Sequence, residues 1–156
     1  MRGTRIGTGA ALLAGTLGLT GLAFAPAAVA VTPQSATITA NCGAWGGGPA
    51  TLTATQSGTS ATITLTSSIT TPLALSANSI ASTLTFVNGT GTKVFSGTVN
   101  PAMAAGSAVT VGPLNGTVAS GDSLQAYGGT LKMVIFGVTV TCTPSAPQSP
   151  GPFVFS

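Results

Sequence analysis

The formally charged side chains in this sequence, on which acid–base chemistry would have to draw, are few enough to name: Lys93, Lys132 and Asp122 in the body of the chain, and Arg2 and Arg5 near its start. Histidine and glutamate are absent. A serine–lysine pair would need Lys93 or Lys132 to act as base for a neighbouring hydroxyl. Serine and threonine are so frequent here that such a neighbour carries no information, and a lysine on a strand ordinarily blunts edge pairing. Asp122 follows Ser120-Gly121, where a carboxylate accepts backbone hydrogen bonds in a turn. One carboxylate cannot fill acid and base roles together. No catalytic, cofactor-binding or metal-ligating set can be assembled, and two cysteines without histidine do not complete a zinc site. The expectation is a protein that is not an enzyme and needs no cofactor.

Three other residue types have chemistry worth locating. Cys42 and Cys142 are the two cysteines, and if the chain is exported to an oxidising compartment they are expected to pair. The bridge would close a loop of about 100 residues, for which chain entropy gives roughly 4 to 5 kcal/mol. Trp45 sits beside three glycines, and Tyr127 precedes Gly128-Gly129. Together they are candidate ligand contacts, offering stacking faces to a sugar ring or a hydrophobic molecule. The competing reading has both aromatics covering the end of the core.

The start of the chain reads as an address. Arg2 and Arg5 precede an apolar stretch from Ala10 to Phe24, and Ala28-Val29-Ala30 is a small-x-small cleavage signature. Residues 1–30 are therefore expected to be a secretory signal peptide cut after Ala30. Removing them leaves two lysines against one aspartate, too little cation density for nucleic acid. Mean hydropathy is +0.56, yet past the leader no apolar run approaches the ~18 residues of a spanning helix. The expected location is secreted or extracellular, with association to the cell wall as one form of it.

These candidates need a scaffold, and from Ser35 onward apolar residues recur at every second position. Ala36, Ile38, Ala40 and Cys42 alternate with small polar groups, as do Ala50, Leu52 and Ala54, then Ala61, Ile63 and Leu65, then Ile80, Leu84 and Phe86. Period two with threonine on the opposite face marks half-buried strands. Gly46-Gly47-Gly48-Pro49, Ser57-Gly58, Asn88-Gly89, Asn100-Pro101, Asn115-Gly116 and Gly128-Gly129 are the expected turns. Asn88-Gly89-Thr90 and Asn115-Gly116-Thr117 also spell glycosylation sequons, which hairpin turns explain without sugar. The segment from Leu131 to Val140 reads as a central final strand with Phe136, Val138, Val140 and Cys142 sharing its inward face. The pattern predicts an all-β fold over residues 31–143, an antiparallel β-sandwich of immunoglobulin-like or Greek-key type with about 7 to 9 strands. Residues 144–156 form a proline-rich extended tail. Its ending, Phe153 to Ser156, reads as a frayed terminus, with addition to a sheet edge as the alternative.

The leader, the threonine-rich alternation and the closing segment from Phe136 to Pro144 resemble small secreted all-β proteins of high-GC Gram-positive bacteria. That resemblance implies compartment and fold and transfers no site residue. The functional expectation is a secreted, non-enzymatic cell-envelope or extracellular structural or interaction protein, able to meet surfaces or its own copies through sheet edges. The alternative is a ligand-binding module for a carbohydrate or a small hydrophobic molecule.

Overall fold

The computed structural model describes residues 31–156; the expected signal peptide and the expected cleavage after Ala30 lie outside the described residues. The alternating pattern becomes ten strands: β1 (Val31–Thr32), β2 (Ser35–Asn41), β3 (Gly47–Ser57), β4 (Ser60–Thr70), β5 (Ala81–Asn88), β6 (Gly91–Gly97), β7 (Ala108–Thr117), β8 (Ser123–Ile135), β9 (Val138–Pro144) and β10 (Phe153–Phe155). A 3-10 turn over Gly43–Trp45 joins β2 to β3. Every alternating apolar position named for the first four runs is buried, while Thr37, Thr39, Thr51, Thr53 and Thr55 face out.

The expected sandwich is overturned by how the sheet ends. All neighbouring pairs are antiparallel in the order β8-β5-β6-β7-β4-β3-β2-β9, and β9 then pairs back onto β8. Eight strands thus close into a barrel. β9 makes the closure by pairing on one side from Leu131↔Cys142 to Ile135↔Val138 and on the other through Ala40↔Pro144 and Asn41↔Thr143. Period-two alternation is common to sandwich and barrel, so it cannot distinguish them. Curvature does, and it enters at register shifts. One lies opposite Gly128-Gly129, where the backbone of Thr85 leaves no room for a β-carbon on Gly129. Another lies at Gly112, whose φ is +110°. Bulged strands bend, and a bent sheet can meet itself.

Three local expectations are corrected with it. Gly128-Gly129 and Asn115-Gly116 lie inside β8 and β7, not in turns. Gly116 is there because a β-carbon would fall 2.5 Å from the ring of Phe95. The run from Leu131 to Val140 is two strands, turned at Phe136-Gly137, where both residues have positive φ as a two-residue hairpin demands. Phe136 and Val138 consequently face solvent, and only Val140 and Cys142 of that set point inward.

The tail docks. Below the point where β9 leaves, the seam between β8 and β2 is filled by the chain's last segment. Ser149 and Thr37 exchange backbone hydrogen bonds, and Gln148 Oε1 accepts the Ala126 N–H at 2.7 Å. β10 then pairs with the start of β8, and β1 pairs with β10. Phe153 and Phe155 enter the barrel beside Phe86 and Phe95, all with at most 1% exposure. Four buried rings therefore fill the end of the barrel that holds the β3–β4 and β5–β6 hairpins.

Candidate functional site

At the other end the filling changes. The inward positions there include Ala40 on β2 and Ala50 on β3, and none of the four buried phenylalanines borders the space beside them. Small residues on these two neighbouring strands leave a space, since the interior of a barrel of this strand number is either packed by side chains or holds one small ligand. The space is a cavity of about 210 Å³. Its wall is formed by β2, β3, β4, β7, β8 and β9 and by the Thr71–Leu75 connection after β4.

Covalent and hydrogen-bonded structure fixes that wall. Cys42 and Cys142 are bonded, as expected, and their disulfide lines the cavity where β2 meets β9. The residue after Cys42 begins the 3-10 turn that carries Trp45. Cys42 N–H donates to the Gly46 carbonyl at 2.8 Å and Gly46 N–H to that of Gly43 at 3.0 Å, so the indole hangs from a closed loop anchored on the disulfide. Across the mouth, Leu75 and Met103 exchange backbone hydrogen bonds. The buried Asn100 holds the same loop, its Oδ1 accepting the N–H groups of Ser79 and Ile80 and its Nδ2 donating to the carbonyls of Ser76 and Pro101.

The lining is apolar almost throughout, and no lysine, aspartate or tyrosine contributes to it. Of its three hydroxyls, Ser67 donates toward the carbonyls of Ile69 and Val109, Thr71 donates to that of Leu73, and Thr70 is solvent-exposed. The rim is apolar too. Trp45, Leu73, Phe136 and Val138 are 51%, 61%, 71% and 47% exposed and all border the cavity. Phe136 holds φ +50°, a left-handed conformation that glycine or asparagine occupies readily and a bulky residue does not.

The two aromatics singled out in the sequence are not brought together. Trp45 stands on the rim; Tyr127 points outward from β8 and does not border the cavity. Lys132 is on the outer face of β8. Lys93 and Asp122 meet at the opposite end, Nζ to Oδ2 at 2.8 Å. Asn88 Nδ2 donates to Asp122 Oδ1, and the Ala119 N–H donates to Oδ2. That cluster ties the β7–β8 connection to the β5–β6 hairpin. Among the described residues no group of His, Cys, Asp and Glu could hold a metal ion, and no helix is long and apolar enough to cross a membrane.

No family model matches the chain, and no curated protein or solved structure is significantly similar to it. The reading of the site rests on its own geometry. Sequence reasoning missed Leu73 and Phe136. The available signal was Phe136-Gly137 at a change in the phase of alternation, because Leu131 and Met133 point inward at odd positions and Val140 and Cys142 at even ones.

Proposed function

We propose that this is a secreted, non-enzymatic binding protein that takes a small uncharged, apolar molecule, or the apolar part of one, into the open end of its barrel. The observation that carries the reading is the coincidence of a preformed apolar cavity with four exposed apolar residues at its mouth. Solvent-facing apolar groups gathered around one concavity mark a binding site more often than a stability device. The strained backbone of Phe136 supports it, because a fold serving stability alone would place asparagine or glycine there. The disulfide fits an oxidising compartment. A module acting through exposed sheet edges is less favoured, since closing a barrel removes them.

Trp45 supplies the assay. Titration with 1-octanol or toluene is expected to shift its emission saturably and to raise the melting temperature. Ala50→Leu, which fills the cavity from a buried position, is expected to abolish both effects while the protein stays folded. Unchanged emission and melting temperature in the unaltered protein would sink the reading.

A further inference from the structure

We infer that the ligand enters as the methyl end of a hydrocarbon chain, with its head group left outside the rim; this rests on the binding reading above. Size comes first. An apolar protein cavity of about 150 Å³ accepts benzene, so 210 Å³ corresponds to about eight carbons on the same scale. That is too small for a whole amphiphile and larger than a single ring needs.

The interior chemistry decides orientation. A carboxylate, phosphate or ammonium drawn inside would lose its water and find no countercharge, because no charged residue borders the space. Of the three lining hydroxyls, those of Ser67 and Thr71 are engaged with backbone carbonyls and Thr70 is solvent-exposed, so a polar head drawn inside would displace existing hydrogen bonds. A head group therefore remains in water.

The rim decides length. Leu73, Trp45, Phe136 and Val138 extend apolar surface outward from the mouth. A compact molecule swallowed whole would leave Leu73 and Phe136 without a role. A chain longer than the cavity would lie along them before reaching its head, which explains a phenylalanine held at positive φ at the hairpin tip.

The test is a chain-length and head-group series below micellar concentrations: 1-alkanols, n-alkanoates and n-alkyltrimethylammonium ions of six to twelve carbons, followed by calorimetry and Trp45 emission. Binding is expected to tighten roughly fourfold per methylene, equivalent to ~0.8 kcal/mol, up to about eight carbons, and more gently beyond. At equal length the three head groups are expected to agree within about tenfold, since all stay in water. In Phe136→Asn the gain beyond eight carbons is expected to vanish while the shorter members still bind. If 1-octanol and toluene bind but octanoate and octyltrimethylammonium do not, the ligand is engulfed whole and chain-end entry is wrong, with the binding reading intact. If no member of either set binds, the binding reading itself fails.

Discussion

Phe153, the fourth residue from the end of the sequence, meets Phe86 edge to face with ring centroids 6.2 Å apart. Phe86 in turn meets Phe95 at 5.7 Å. The ring supplied by the tail is thus part of the packing that fills the closed end of the barrel, although it arrives on a strand of only three residues. Phe153→Ala is expected to cost about 3 to 5 kcal/mol, as for a buried aromatic, and removal of Phe153 to Ser156 at least as much. Urea unfolding monitored by circular dichroism measures it. A midpoint unchanged by the deletion would mean that the tail is not docked in solution.

Asp122 should make stability depend on acid in a defined direction. Partial burial pushes its carboxyl upward, but hydrogen bonds from Lys93, the Ala119 amide and Asn88, with the Lys93 charge, together hold it below its ordinary value. The folded carboxyl therefore releases its proton more readily than the unfolded one, whose value is ~3.9. Its contribution is complete above the unfolded value and is lost as pH falls through the folded one. Asp122→Asn is expected to be less stable than the unaltered protein at pH 7, with the difference narrowing in acid. Parallel acid limbs for the two proteins would assign that dependence elsewhere.

Phe136→Asn separates stability from binding. Asparagine tolerates φ near +50°, so relieving the backbone is expected to raise stability by about 1 kcal/mol. The same change removes a rim side chain that is 71% exposed and weakens long-chain ligands. Loss of stability in this variant would show that the ring is structural.

Gly116 and Gly91 provide a paired test of close packing. A β-carbon at Gly116 meets the buried Phe95 ring at 2.5 Å, whereas at Gly91 the nearest atom is the Asn88 carbonyl oxygen at 3.7 Å. Gly116→Ala is expected to cost about 1 to 3 kcal/mol through overpacking, and Gly91→Ala to stay within about 0.5 kcal/mol. Equal midpoints for the two variants would contradict the packing described here.

Much of the fold is written in local pattern, and the rest is decided by relationships that no local pattern carries. Ala36, Ile38, Ala40 and Leu52 announce their inward faces because a pleated strand alternates, and the Cys42–Cys142 pairing follows from there being two cysteines in a chain expected to be exported. Barrel closure depends on β9 finding partners on both sides and on bends at Gly112 and Gly128-Gly129, and a strand's alternation is the same whichever neighbour it has. The Leu131–Val140 run hides its hairpin because apolar residues occupy both faces from Met133 to Phe136. The cavity is harder still to read, since it arises from a lack of bulk at Ala40 and Ala50 opposite strands distant in sequence. Trp45 could be singled out by type and setting. Leu73 could not, because an exposed leucine has no sequence signature apart from where it ends up.

Val31 and Phe155 lie opposite each other in the same antiparallel pair. Both residues lie at the end of the barrel sealed by phenylalanine rings. A tether joined after Phe155 would hold the molecule by its base and leave the apolar mouth pointing away from the attachment. Immobilising the protein through a C-terminal tag should accordingly keep that mouth free for ligands, whereas attachment through Lys132, part-way up the outer wall of β8, would not share that geometry.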